Sequence, residues 1–353
     1  MEERYSEKKG KTNTLLIIFL ILLGLVLAAV IGIFIFFNHY YSKTNFVKDK
    51  EELETAPTEA DEFETMAEFD ENALAEKLEQ ERRNAFDRTF KNARTRKKKS
   101  GHSVFYSENV YNLMLIGVDR RDKTWNGNSD AMILASINYE NDTVTFTSFM
   151  RDTWVNIPGV GMRKLNAAFA VGNGPLLVQT MELNFGIEID NYAWIDFDGM
   201  KEVIETLGGV DITLTAKEGK YAGVEVPGDS ALVHLNGQQA LTYARDRTTS
   251  GWDYGRTQRQ RNVIMAIVNK AKSGGISNLT AAANAVLPYI THNISETKLL
   301  SLILDLKKIV GFSFQEQRVP FDGLYTSQNQ NLVPDYGATI NRLYETIYAP
   351  KGE

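Results

Sequence analysis

Residues 15–37 read LLIIFLILLGLVLAAVIGIFIFF, 23 residues without a charge or a proline. As an α-helix this run is roughly 34 Å long, enough to cross a hydrocarbon core of about 30 Å. A signal peptide has an apolar core of only about 7–15 residues and a small-residue cleavage site, and this run has neither feature. Phe36, Phe37, Tyr40 and Tyr41 sit where an interfacial aromatic belt is expected. The run therefore predicts one uncleaved transmembrane helix at 15–37, and it divides the chain into a short tail, 1–14, and everything that follows. The tail carries Arg4, Lys8, Lys9 and Lys11, against Lys43, Lys48 and Lys50 on the other flank. That bias places the tail in the cytoplasm and the C-terminal part outside the cell membrane.

Residues 38–103 predict a charged, partly helical stalk. Eleven acidic residues fall between 49 and 71, and nine basic residues between 82 and 99 with Asp87 as the one acid among them. Leu74 and Leu78, and Phe86 and Phe90, are spaced i, i+4, which supports helix in part of it. The segment serves as a solvated spacer, or its basic end at 94–99 touches anionic lipid or polymer.

Composition narrows the function. Lys+Arg is 39 and Asp+Glu 45, a net charge of −6, so no nucleic-acid partner is expected. The chain has no cysteine, which excludes disulfides, thiolate metal sites and cysteine nucleophiles. Its four histidines lack metal-ligand spacing, so any metal is expected to be a hard ion held by carboxylates.

From 104 to 353 strands and helices alternate. Strands are predicted at 110–118, 131–138, 144–149, 210–214 and 312–320. Helices are predicted at 175–183, from 198 to the Gly208-Gly209 stop, and at 237–243, 254–272 and 295–310. The pattern is that of one α/β domain with a central mixed β-sheet flanked by helices. The apolar helix at 299–310 either lines a tunnel or fills core, and core is the expectation.

The chemistry sits in four charged clusters: Asp119 to Asp122 at the end of a strand, Asn128-Ser129-Asp130 at the start of the next, Arg151-Asp152 after another, and residues 245–261. The last holds five arginines, two aspartates and no lysine. An arginine fork fits phosphate oxygens bidentately where lysine offers a point charge. Arg256 and Gln260 share a face near a helix N-terminus, where free N–H groups attract anions. Without a ligand, the same residues make a solvated basic helix start capped by Asp253. Asp119 and Asp130 either meet at neighbouring strand ends, where Mg2+ is held by one or two carboxylates plus phosphates, or serve as a partner of Arg120 and a turn cap.

In these clusters the sequence resembles the LytR-CpsA-Psr family of cell-wall glycopolymer ligases. The family's G-x-D-x-R is matched by Gly117, Asp119 and Arg121; its R-S-D stands here as Asn128-Ser129-Asp130, and its P-R-D as Met150-Arg151-Asp152. The K-[IL]-N-x-A and L-G-G-V-D segments fall at 164–168 and 207–211. The L-x-G-x-x-A-L-x-Y-x-R-x-R and D-x-x-R-x-x-R-Q motifs are complete at 235–247 and 253–260. Asn128 replaces the family arginine and Met150 the family proline.

The resemblance implies an extracellular catalytic domain at 104–353 whose apolar tunnel holds a polyprenyl chain. It implies that Asp119 and Asp130 hold Mg2+ and that Arg121, Arg151, Arg245, Arg247, Arg256 and Gln260 bind the pyrophosphate. Asp253 would orient the arginines or act as base. The implied reaction moves a glycopolymer phosphate (capsule, teichoic acid or rhamnose polysaccharide) from undecaprenyl pyrophosphate to a muramic acid hydroxyl of peptidoglycan. Two alternatives use the same site: a non-catalytic, attenuator-type regulator that grips lipid pyrophosphate, and a lipid pyrophosphatase with water as acceptor.

Overall fold

In the computed structural model the described residues are 41–48, 71–88, 94–98, 101–120, 125–246, 248–249, 252–273, 287–309 and 311–350. The predicted transmembrane run at 15–37 lies outside them. Among the described residues no helix is long and apolar enough to cross a membrane. The chain divides into two units, Met1–Thr44 and Asn45–Glu353. Of the first, the described part is a turn closed by Thr44 N–H donating to Tyr41 O at 3.0 Å.

The second unit is built on a seven-stranded mixed sheet. Its strands are β1 (Asn45–Phe46), β2 (Val110–Asp119), β3 (Asn128–Asn138), β4 (Thr143–Phe149), β5 (Asn191–Asp196), β6 (Thr291–His292) and β7 (Ser313–Val319). They lie side by side in the order β1-β6-β5-β2-β3-β4-β7. β2 and β3 run antiparallel, as do β3 and β4, while β5 lies parallel to β2 and β7 parallel to β4. Alternation along the strands separates two faces. Met114, Ile116, Val118, Met132 and Leu134 point into the main core. Ile133, Ala135, Val144 and Phe146 point the opposite way.

The helices are α1 (Glu71–Arg88), α2 (Asn166–Phe185), α3 (Phe197–Thr206), α4 (Ala216–Ala222), α5 (Gly237–Arg245), α6 (Trp252–Ser273), α7 (Glu296–Ile309) and α8 (Tyr336–Ile347). α2 and α8 cover the first face through Phe169, Leu177, Ile340 and Leu343. α6 and α7 cover the second through Ile264, Met265 and Ile309. A third cluster joins α3, α4, α5 and α6 to the hairpin Val210–Thr215/Ser230–Leu235 through Ile204, Ile212, Ala240 and Val263. This is the mixed α/β architecture expected from the sequence.

Several boundaries differ for physical reasons. α2 begins at Asn166, well before the predicted 175. Its two halves are joined across Gly172 and Asn173, whose backbone is non-helical, so Pro175 falls in the first turn of the second half, where its missing N–H costs nothing. Gly186 closes the helix in the left-handed conformation at φ 66°. β5 had no counterpart in the sequence prediction, because a six-residue parallel strand between two helices offers little alternation. α7 adds Ile309 to the second core cluster, while its Ile303 and Leu304 are exposed.

The segment expected to be a spacer contributes to the folded unit at three places, at one of which Thr95–Lys97 pairs with Ser103–Phe105 while Arg96 and Lys98 form ion pairs with Glu188 and Glu182. Asn45 and Phe46 pair with Thr291 and His292 at the sheet edge. Leu74 and Leu78 of α1 are buried, Leu74 against Trp154 and Met162. Arg82 donates to Ser103 O at 3.2 Å, and Glu81 accepts from Tyr336 N–H at 3.2 Å. The i, i+4 leucines predicted the helix; what Leu74 packs against is the remote Trp154 hairpin, Trp154–Ile157 paired with Gly161–Lys164.

Candidate functional site

The site starts with an irregularity between β2 and β3. Gly117 pairs with Ala131, but Val118 pairs with Ser129 and Asp119 with Asn128. Asp130 is the extra residue of a β-bulge. Directly opposed residues of an antiparallel pair point to the same face. In unbroken register Asp130 would oppose Val118, which is buried on the core side. The bulge gives that place to the fully buried Ser129 and turns Asp130 to the side of Gly117, Asp119 and Ala131. Gly127, at φ 79°, makes the approach possible: a Cβ there would lie 2.5 Å from Asp119 O.

Asp119 and Asp130 line one cavity of about 670 Å³ together with Arg245, Arg256 and Gln260. Apart from this polar end, its wall is largely apolar, with Leu115, Ile133, Trp194, Val263, Ile264 and Ile267 among the lining residues.

Arg245 ends α5, a helix started by a capping box between Asn236 and Gln239. Its guanidinium lies 4.5 Å from the Phe197 ring centroid and 3.7 Å from Asp119 Oδ2. Arg256 stands one turn into α6 and is 2% exposed, with Nη1 3.8 Å from Asp130 Oδ1. Gln260, one turn further, donates from Nε2 to Asp130 O at 3.4 Å. Arg151, just after β4, donates from Nη1 to Asp130 Oδ1 at 3.2 Å. Asp152 in turn holds Arg151 Nε at 3.3 Å and Lys164 Nζ at 3.2 Å. Arg121 and Arg247 lie outside the described residues. Of Asp253 only the backbone, in the first turn of α6, is described.

The other arginines of the 245–261 cluster are structural. Arg259, 2% exposed, donates to Asp246 O, approaches Asp246 Oδ2 at 3.8 Å and pairs with Glu218 at 3.4 Å. Arg261 donates to Ser148 Oγ at 2.7 Å and pairs with Glu316 at 3.1 Å. Asp246 is buried and its carboxylate accepts from Thr248 and Thr249. Burial alone would raise its pKa, but hydrogen bonds from Thr249 and Thr248 and the nearby Arg259 charge outweigh it and hold the carboxyl below its ordinary value.

The two departures from the family motifs are accommodated. Met150 is buried and uses the N–H that a proline would lack, donating to Val319 O at 2.9 Å. Asn128 sits opposite Asp119 in the ladder. Sequence reasoning missed Phe197, which stacks on Arg245, and Trp194, which lines the cavity. Both follow from β5, whose last residue Asp196 also caps α3 by accepting from Gly199 N–H at 2.8 Å.

Among the described residues no group of three or more His, Asp or Glu side chains is placed to hold a metal. Two carboxylates at the cavity would suit a hard divalent ion completed by phosphate oxygens and water, not an all-protein cage. Chemically, the arrangement can neutralise a pyrophosphate at one end of the cavity while the apolar wall accepts a hydrocarbon chain.

A family model described as the LytR_cpsA_psr family matches residues 76–342. A polyisoprenyl-teichoic acid--peptidoglycan teichoic acid transferase TagU from Oceanobacillus iheyensis is 33% identical over 258 residues, covering 71% of this chain and 75% of that protein. Biofilm regulatory protein A from Streptococcus mutans is 31% identical over 264 residues, covering 67% and 64% respectively. The crystal structure of Bacillus subtilis TagV superposes with a TM-score of 0.55 at 27% identity, over 69% of this chain and 97% of that one.

Proposed function

The chain belongs to the LytR-CpsA-Psr family, and from that premise we propose that it is a membrane-anchored transferase of cell-wall glycopolymers. It moves a glycopolymer phosphate, teichoic acid being the class named for its TagU relatives, from a polyprenyl pyrophosphate carrier to a peptidoglycan hydroxyl. The observation that carries this reading is the meeting of Asp119, Asp130, Arg245, Arg256 and Gln260 at a largely apolar cavity.

The polyprenyl chain occupies the apolar part, which leaves the pyrophosphate among the arginines and the sugar outside. The acceptor hydroxyl oxygen bonds to the phosphorus that carries the sugar. The bond from that phosphorus to the bridging oxygen breaks, polyprenyl phosphate leaves, and the hydroxyl proton passes to a base, the role the family motif assigns to Asp253. Such transfers depend on positioning and on neutralising oxygen charge. Arg151, Arg245 and Arg256, with Arg121 and Arg247 from the motifs, supply the neutralising charge. Asp130 holds two of these guanidinium groups in place, and the burial of Arg256 on α6 fixes it before substrate arrives. Asp119 and Asp130 would hold Mg2+, which when bound adds charge neutralisation at the phosphate oxygens. Residues 15–37 anchor the chain, with the catalytic unit outside the cell membrane.

The test incubates the full-length chain in detergent with a polyprenyl pyrophosphate-linked sugar, a peptidoglycan fragment and Mg2+. Mass spectrometry should find sugar phosphate joined to the glycan, and the product should disappear with EDTA and in Arg245→Ala. The relative named as a biofilm regulatory protein favours one second reading, a regulator that binds the lipid without turnover. Tight lipid binding with no product, beside an active relative assayed in parallel, would establish that reading instead. Free sugar phosphate without acceptor would establish a pyrophosphatase.

A further inference from the structure

The sheet edge next to the cavity is made by β1 and the short 3-10 turn Leu287–Tyr289. Asn45 N–H donates to Ile290 O at 3.1 Å and Asn45 Nδ2 to Pro288 O at 2.9 Å, and Val47 N–H donates to His292 O at 2.9 Å. Ile290 lines the cavity, while its neighbour Tyr289 is 42% exposed. One segment therefore forms both the cavity wall and the outer surface. α3 meets this segment at Gly199, where a Cβ would lie 2.8 Å from the Tyr289 Cβ.

Along this edge Phe46 is 45% exposed and Val47 40%. The Phe46 ring lies 6.0 Å from that of His292 and Asn45 binds Pro288 O, yet Phe46 and Val47 keep much of their surface in solvent. Apolar side chains left exposed together mark a surface that meets something apolar. Lys48 beside them is exposed as well. The chain itself limits what that surface can meet. Only residues 38–44 separate the apolar run from β1, a span of at most roughly 25–30 Å when fully extended.

We propose that the β1 edge, with Phe46, Val47 and Tyr289, lies against the outer leaflet of the bilayer and is the portal through which the carrier's hydrocarbon chain enters the cavity. The inference rests on the reading of residues 15–37 as an anchor and of the cavity as a polyprenyl site. A long apolar chain cannot cross water to reach an apolar cavity without a large loss of hydrophobic free energy. An edge seated in the headgroup region removes that barrier. Phe and Tyr suit this boundary because their rings tolerate a surface that is apolar on one side and wet on the other, and Lys48 suits anionic headgroups.

The absence of cysteine makes the test direct. The full-length chain is reconstituted in vesicles of phosphatidylethanolamine and phosphatidylglycerol after Phe46→Cys, Tyr289→Cys or, as a control on α1, Lys77→Cys, each labelled with an environment-sensitive fluorophore. Lipids carrying a shallow spin label should quench the probes at 46 and 289 at least about twofold and leave the probe at 77 unchanged. Probes at 46 and 289 that stay unquenched, in protein that resists an alkaline wash, overturn the portal and leave the anchor standing. Protein that washes off the vesicles overturns the anchor and the portal with it.

A second arm uses Phe46→Asp combined with Tyr289→Asp. Transfer from donor embedded in the bilayer should fall about tenfold or more, with transfer from detergent-dispersed donor unchanged. Equal loss in both arms would mean a folding or catalytic defect and count against the portal. If the unsubstituted chain transfers nothing from dispersed donor, the proposed activity fails, and the quenching arm still decides whether this edge meets the membrane.

Discussion

Asp130 and Arg151 form an ion pair at 3.2 Å in which the carboxylate belongs to the bulge of β3 and the guanidinium to the end of β4. Arg256 approaches the same carboxylate oxygen at 3.8 Å. Asp130 thus holds two cations at the polar end of one cavity. Asp130→Asn keeps the shape and removes the charge that orders them. Transfer should fall by about 10²–10³-fold, the usual effect of losing one preorganised charge-stabilising group. Circular dichroism melts that stay superimposable with the unsubstituted chain would confine the loss to the chemistry; an unchanged turnover would remove Asp130 from the site.

Arg245 tests geometry apart from charge. Arg245→Lys retains the cation but loses the planar fork and the stacking on Phe197. Donor affinity should weaken by about tenfold, in keeping with a cation–π contact of about 1–2 kcal/mol and a lost bidentate contact. Titration of a fluorescent polyprenyl pyrophosphate analogue measures it, and an affinity equal to that of the parent would mean the fork makes no phosphate contact.

Arg259 and Arg256, three residues apart on α6, should separate cleanly. Arg259→Ala leaves the buried Asp246 carboxylate without its cation and should cost about 3–5 kcal/mol of stability. Arg256→Ala should instead abolish transfer, with a smaller effect on folding. Urea unfolding beside the transfer assay distinguishes them, and the assignment fails if the two variants behave alike.

His102 gives a pH signature. Burial, then the charges of Arg82 and Lys98, depress its pKa to about 4. The unfolded chain takes up that proton near pH 6.5 and the folded chain only near 4. Between these values the unfolded state binds more protons, so this contribution to stability is complete above about pH 6.5 and is lost as pH falls towards 4. Asp246, also depressed, adds a loss of the same sign at lower pH. Glu182 and Asp190, both raised mainly by burial, act in the opposite direction. The variant comparison isolates the histidine: His102→Asn should lose less stability than the parent between pH 7 and pH 4.5 in urea titrations. Equal losses would show that the imidazole titrates normally.

Leu78 tests the docking of α1. It is buried in a segment whose composition suggests a solvated spacer. Leu78→Ala should destabilise the folded unit by about 2–5 kcal/mol. A cost below about 0.5 kcal/mol, the range of surface substitutions, would mean that α1 is not part of the cooperative unit.

The helices α3, α5 and α6 were legible because their starts and stops are local: Asp196 and Asn236 cap through contacts within three residues, and Gly208 and Gly209 end a helix wherever it packs. The residue types of the site were legible for the same reason, since Arg245 and Arg256 lie in short contiguous motifs. β5 and the Trp154 hairpin were not, because a short strand is stabilised by neighbours far away in the chain. The cluster at 245–261 also concealed a division of labour. Five arginines stand together in sequence, yet helical periodicity and the surrounding strands send Arg256 to the cavity, Arg259 to Asp246 and Arg261 to Ser148.

The amino-acid sequence alone determined that this chain has a membrane-spanning length of apolar residues, an α/β unit, and arginines and aspartates suited to a pyrophosphate. It could not determine that Asp119 and Asp130 face the same space. Strand alternation continued without interruption would have put them on opposite faces of the sheet. A single-residue bulge, stabilised by the burial of Ser129 and by the close approach of Gly127 to Asp119, brings them together. Register between strands is set by the whole packed sheet and not by either strand alone, so that decision belongs to the tertiary structure.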